Sequence, residues 1–469
     1  MTQWLGPGIG GRRPDARKNG STRHARHRTG FKKTFFAILS AYPVYSSPQP
    51  FFHPTMSDQH SSLPLGFRYG GVASGVKPDG QLDLALILSE APAVAAAAFT
   101  RNRFAAAPVE YDRDLLTRNN DHIRAVVINS GNANAITGPE GLARARRMAR
   151  AVEQALALPE GSTLVMSTGV IGVPLPIQRI EAAAPRLARA LRADWAGFET
   201  AARAVMTTDT YPKTRTLEVD DGQGGRFRLA GLCKGAGMIH PNMATMLAVI
   251  TTDARLTPEA ARQALTGAVD ASFNRISVDG DTSTNDTVVL LANGAAGGPL
   301  IEPGTDTFDA FADALTGLSV HLAQEIVRDG EGATKFVTIH VSGLANDRDA
   351  HRVAETIATS PLVKTAIYGG DANWGRILAA AGRSGVLFDT TEAALWITSR
   401  GPGKSDYLPK LQLVANGMPL DYDEALAAMH FADVELVIEL SLGRGPGRAT
   451  MWTCDLSHEY VTINGEYRT

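Results

Sequence analysis

From about Gly66 onward, short runs of apolar and β-branched residues alternate with longer stretches in which Ala, Leu and Arg recur at helical spacing. Apolar runs of a few residues bounded by Gly, Asn or Asp read as strands. They predict strands over residues 84–88, 125–129, 163–168, 226–233, 245–251 and 287–292. Helices are predicted over 141–156, 177–191, 195–206, 258–273, 308–327, 349–358 and 374–381. Thr257, followed by Pro258 and Glu259, marks one helix start. A cap hydroxyl there accepts an orphan N–H, and Pro in the first turn forfeits no bond. Such alternation belongs to an α/β or α+β protein. Past about residue 389 the composition shifts, and strands over 394–398, 411–415, 434–440, 451–454 and 460–463 predict a smaller β-rich unit at the end.

Length and charge narrow the class. At 469 residues the chain has room for two or three ordinary domains and a sizeable core. Lys and Arg number 46 against 48 Asp and Glu, so a formal charge of -2 gives no global pull toward nucleic acid or a membrane surface. No run approaches the ~20 apolar residues that span a bilayer. A small-molecule partner is expected. Two cysteines, Cys233 and Cys454, rule out a disulfide framework and any CxxC motif, which fits a reducing compartment, and a cytoplasmic location is expected. Residues 1–55 stand apart, with nine Lys or Arg against the single acid Asp15. Three readings compete: an Arg-rich, acid-poor transit peptide, a secretory signal centred on residues 35–39, or an upstream extension translated only on paper. The third is preferred, with Met56 as the start.

The most informative stretch is Lys234-Gly235-Ala236-Gly237-Met238-Ile239-His240-Pro241-Asn242-Met243-Ala244-Thr245. Its glycines permit backbone conformations closed to other residues, Pro241 stiffens the turn, and a hydroxyl residue opens the next strand. On residue type alone this is a Gly/Pro-rich turn into a buried strand, with Thr245 present for its β propensity. The chemical alternative is an N-to-O acyl shift that cuts the Ala244–Thr245 bond. Thr245 then gains an α-amino group with a pKa of about 8, able to take the proton of its own hydroxyl. A phosphate-binding reading of Lys234–Gly237 fails, because the lysine precedes the glycines. Asp279, Asp281 and Asp286 do not have calcium-loop spacing. Neither metal nor cofactor is expected.

This stretch resembles the self-processing site of the glutamate N-acetyltransferase (ornithine acetyltransferase) family. The resemblance runs from about Leu65 to Thr469. It includes Ile128-Asn129-Ser130-Gly131-Asn132-Ala133-Asn134-Ala135, Ser167-Thr168-Gly169-Val170-Ile171-Gly172, Met206-Thr207-Thr208-Asp209-Thr210, Ser277-Val278-Asp279-Gly280-Asp281-Thr282-Ser283-Thr284-Asn285-Asp286, Arg328-Asp329-Gly330-Glu331-Gly332-Ala333-Thr334-Lys335 and Gly370-Asp371-Ala372-Asn373-Trp374-Gly375-Arg376-Ile377. The closing residues 454–469 also match.

The resemblance implies acetyl transfer from N2-acetyl-L-ornithine to L-glutamate through an acetylated Thr245, with acetyl-CoA a further donor for some members. It assigns the oxyanion hole to Thr168 and the Gly169 N–H, and substrate binding to Thr208, Lys234, Glu331, Asn464 and Thr469. It implies an α+β fold, a four-layer α/β/β/α sandwich with a smaller C-terminal α/β domain. Residues 56–244 become the α chain and 245–469 the β chain, assembled as two of each. His240 is left structural, Trp374 is read as core packing near the site, and residues 401–410 as a variable surface loop. An N-terminal-nucleophile amidohydrolase or aminopeptidase is the alternative, because the same threonine can pass its acyl group to water.

Overall fold

The computed structural model describes residues 63–220, 225–240 and 246–466. The first strands in chain order are β1 (Phe67–Val72), β2 (Leu84–Phe99), β3 (Ile123–Asn132), β4 (Thr163–Val170), β5 (Lys213–Asp220), β6 (Arg226–Lys234) and β7 (Leu247–Thr252). Helices α1 (Ala107–Arg118), α2 (Gly138–Leu156), α3 (Ile177–Ala190) and α4 (Trp195–Ala204) lie among them. The short β8 (Arg255–Leu256), helix α5 (Pro258–Ala271), β9 (Ile276–Ser277), β10 (Thr287–Ala292), β11 (Leu300–Ile301) and helix α6 (Asp306–Arg328) follow.

Strands β4-β3-β2-β10-β7-β6-β5 form one sheet, to which β1 adds alongside β2. The register of β2 against β3 shifts between Leu88 and Ala93. Before the shift β2 pairs with β1 and β3, and beyond it, after one last pair of Ala93 with Ile123 on β3, with β10. The sheet thereby divides into two halves that share β2. Strand alternation shows how they stack. Ala230, Leu232, Leu247, Val249, Val289 and Leu291 enter one core with β1–β4 and helices α1–α4. Their neighbours Leu229, Cys233, Ala248, Ile250, Val288 and Leu290 enter a second core with α5 and α6. A hydrogen bond of 2.9 Å between the Tyr69 hydroxyl on β1 and Thr251 Oγ1 on β7 joins the facing halves. Helix, sheet, sheet and helix make the four layers expected of the fold.

The remaining elements are β12 (Phe336–Gly343), α7 (Asp347–Ala358), α8 (Pro361–Tyr368), α9 (Trp374–Gly382), β13 (Ala394–Arg400), β14 (Leu411–Ala415), β15 (Met418–Pro419), α10 (Glu424–Ala432), β16 (Glu435–Ser441), β17 (Gly445–Cys454) and α11 (His458–Gly465). A second sheet runs β15-β14-β13-β16-β12-β17-β9 and packs on α7 and α9 around its own core. The composition shift near residue 389 falls inside this unit, since β12 already lies at its centre. Trp374 is half-buried against that core. The strand expected over 460–463 is instead helix α11. Ser457 caps it by accepting from the Tyr460 N–H, and Glu459 sits in its first turn. A cap and a first-turn acid outweigh the β propensity of Tyr460, Val461 and Ile463.

Candidate active site

Strands β3 and β4 run parallel, and their ends form one wall. Gly131 pairs with Gly169, which holds a φ of 131°. A Cβ on Gly169 would stand 2.3 Å from the Gly131 carbonyl carbon, so only glycine allows this approach. Ser167 Oγ donates to Asn129 Oδ1 at 2.6 Å. The Asn285 amide donates to the Ser167 and Ala133 carbonyls at 2.8 and 2.7 Å, locking both strand ends. Thr168 therefore sits at a braced strand end beside the Gly169 N–H.

The opposite wall is the end of β6. Lys234 is only 6% exposed, and its Nζ lies 3.4 Å from Thr168 Oγ1. Burial pulls its pKa down, the Asp209 charge opposes that, and the Lys213 charge adds to it. The loop beyond is held from three sides. Gly235 N–H donates to Asp209 Oδ1 at 2.7 Å. Met238 and Ile239 N–H groups donate to the Asp279 carboxylate at 2.6 and 2.9 Å. Glu331 N–H donates to the Ala236 carbonyl at 2.8 Å. Asp279 is thus a loop anchor, and the Tyr460 hydroxyl of α11 also donates to it at 3.2 Å.

Glu331 is buried and accepts from the Asn464 amide at 2.8 Å. A Cβ on Gly237 would fall 2.2 Å from a Glu331 carboxylate oxygen, so the carboxylate lies against the Lys234 loop. Thr208 is half-buried and precedes Asp209. Contacts therefore gather Thr168, Lys234, Glu331 and Asn464 about one loop, with Gly169 and Thr208 next in sequence to Thr168 and Asp209, which touch it. Ala244, Thr245 and Thr469 lie outside the described residues. The nearest described position after Thr245 is Met246, whose carbonyl accepts from Thr287 N–H at 3.1 Å. Leu247, the next residue, pairs with Lys234 across β6 and β7.

Beneath this loop lies an ion triad that the sequence reading did not assign. Lys213 has no exposed side-chain surface and bonds Asp209 at 2.7 Å and Asp329 at 2.5 Å. Burial would lower its pKa, but the two carboxylates outweigh that and raise it. Burial likewise works to raise Asp209, yet the Lys234 and Lys213 charges hold it below the usual carboxylate range. Asp329 also accepts the Thr210 N–H at 3.0 Å, which ties the Thr208 loop to the Glu331 loop. Asp209 and Asp329 stand in the recognised motifs; Lys213 has no motif to mark it. Asp286 is buried as well, and burial pushes its carboxyl well above the usual range against the Lys234 charge. His240 pairs with Glu355 at 3.1 Å, a structural contact. Among the described residues no group of three or more His, Cys, Asp or Glu is arranged to hold a metal ion.

The ArgJ family profile matches residues 68–469. The chain is 50% identical over 443 residues to the arginine biosynthesis bifunctional protein ArgJ, mitochondrial, of Chaetomium globosum, covering 91% of this chain and 93% of that one. The protein of the same name from Neurospora crassa is 50% identical, over 87% of this chain and 89% of its own. Among solved structures, argJ of Bacillus halodurans is 37% identical with a TM-score of 0.42, covering 46% of this chain and 96% of that one. The ornithine acetyltransferase of Mycobacterium tuberculosis, complexed with ornithine, is 40% identical with a TM-score of 0.36, covering 39% and 95%. These relatives correct the expected cytoplasmic location, because the fungal proteins at this identity are named mitochondrial. The two cysteines indicate no more than a reducing compartment, which need not be the cytosol. The chain belongs to the ArgJ family, the glutamate N-acetyltransferases of arginine biosynthesis.

Proposed function

We propose that the chain cuts itself between Ala244 and Thr245 and that Thr245 then carries an acetyl group from N2-acetyl-L-ornithine to L-glutamate. In the first half-reaction the Thr245 hydroxyl attacks the acetyl carbonyl while its own amine takes the proton. The tetrahedral oxyanion is met by Thr168 and the Gly169 N–H, and ornithine leaves. In the second, the glutamate amine attacks the acetyl ester and Thr245 is restored. Acetyl-CoA enters the same scheme as a second donor, and the relatives' description as bifunctional favours it. Processed halves assembling as two α and two β chains belong to this reading too. The relatives' mitochondrial names also favour reading residues 1–55, which lie outside the described residues, as an Arg-rich, acid-poor transit peptide rather than an extension upstream of a Met56 start.

One observation carries the proposal: the pairing of Leu247 with Lys234, whose ammonium lies 3.4 Å from Thr168. That pairing brings the chain two residues past Thr245 to the cation and to the proposed oxyanion donor. Lys234, and Glu331 lying against the loop that follows it, also suit amino-acid substrates that carry both charges. The test is incubation with N2-acetyl-L-ornithine, with and without L-glutamate, following ornithine release and fragment mass. A fragment beginning at Thr245 that gains an acetyl group, with turnover that needs glutamate, is the expected result. Ornithine release that ignores glutamate identifies the amidohydrolase instead.

A further inference from the structure

Asp83 is fully buried, yet it makes no salt bridge among the described residues. Its carboxylate gathers three backbone N–H groups, from Ser74 at 2.5 Å and from Gly75 and Lys77 at 2.9 Å. A carboxylate satisfied in this way folds the chain before it into a tight loop. The loop delivers the Lys77 side chain onto the wall of the active site. A Cβ on Gly131 would meet Lys77 Cγ at 3.0 Å, so the lysine stem lies against the strand that backs Gly169. At its far end the ammonium donates to the Leu82 carbonyl at 3.1 Å and to the Met206 carbonyl at 2.6 Å.

Met206 begins the loop that carries Thr208. Within it Thr207 N–H donates to Asp209 Oδ2 at 2.9 Å, and Asp209 Oδ1 takes the Gly235 N–H beside Lys234. Lys234 in turn reaches Thr168. The contacts close a ring: Lys77, the 206–209 loop, Gly235 and Lys234, Thr168 and Gly169, Gly131, and Lys77 again. Among the described residues this half-buried ammonium donates to carbonyls, with the Asp83 and Asp209 charges nearby to favour it, and burying it still costs desolvation that a methionine would not.

We propose that Lys77 is a positioning residue for acetyl transfer, clamping the 206–209 loop to the Gly131–Gly169 strand pair and so fixing Thr168 and the Gly169 N–H against Lys234. This rests on the transfer reaction proposed above. Misplacing reacting groups by about 1 Å costs about 100-fold in rate. Lys77→Met is therefore expected to lower kcat by about 100-fold while KM for acetylornithine stays within about threefold of wild type. Lys77→Arg, which keeps charge and donors, is expected to recover part of the loss. Wild-type enzyme in the same assay separates the two readings, because absence of glutamate-dependent turnover there fails the reaction and not the lysine. Unchanged kcat in Lys77→Met overturns the proposal. A raised KM at unchanged kcat also overturns it, by making Lys77 a direct substrate anchor. Should Lys77→Met not fold, Lys77→Gln is measured instead, and wild-type kcat in that variant overturns the proposal equally.

Discussion

Replacing Lys213 by methionine is the sharpest test of how the site is held together. Methionine keeps the length of the stem but removes the charge between Asp209 and Asp329, at 2.7 and 2.5 Å. None of the three side chains is more than 3% exposed, so solvent screening gives little relief. Removing one partner of a buried ion pair costs about 3–5 kcal/mol. At about 1.4 kcal/mol per tenfold, that shifts the folding equilibrium by at least about 100-fold. The pH dependence has a definite sign. Asp209 has a depressed pKa in the folded chain, so its contribution is present above its unfolded value of about 3.9 and is lost as pH falls through the folded value. The gap between wild type and Lys213→Met should be full at pH 7 and should narrow in acid. Urea unfolding followed by tryptophan fluorescence reads the loss, and Lys213→Met with Asp329→Asn should recover about 1–3 kcal/mol through the shared network. A loss below about 1 kcal/mol at pH 7, or no recovery in the double variant, refutes the argument that the triad is tightly coupled.

Other expectations follow from the site. Thr245→Ala should leave a full-length precursor without transferase activity, and a normal fragment pattern on denaturing mass analysis counts against the nucleophile. Thr168→Ala should slow acetyl transfer by about 100-fold or more, as loss of an oxyanion donor does; unchanged kinetics remove it from that role. Gly237→Ala forces the Glu331 carboxylate away from the added Cβ and from Asn464. Loss of a hydrogen bond to a charged group, about 1.5–3 kcal/mol, should raise KM for acetylornithine about 10- to 100-fold with the fold intact by circular dichroism.

Buried strands were legible in the sequence because they are uninterrupted apolar runs. Residues 287–292 form β10 with the bounds read from the chain. β2 is much longer than the run 84–88, since Ala-rich 93–98 has Val94 as its one β-branched residue, too weak a strand signal, and is held there by β10 instead. β1 went unread because Gly70 and Gly71 break its pattern, and those glycines admit the backbone near Ala190 and Thr200. Within the candidate site, Thr168, Lys234 and Glu331 are named by motifs that carry their own context. Lys77, Asp83 and Lys213 were not, because each acts across loops far apart in sequence and no local spacing announces it.

The order of strands in the first sheet bears on what the proposed cleavage would leave behind. β7 and β10, which follow the Ala244–Thr245 junction, lie between β2 and β6, which precede it. Severing the peptide bond there would leave the two pieces interleaved like clasped fingers, each six-residue strand zipped on its outer side to the other piece. Such pieces would travel together through purification and part only in denaturant. Once parted they would have to meet again as separate molecules, so refolding would depend on concentration where folding of the uncut chain does not. The intact precursor would thus serve as the assembly device for its own two-piece product.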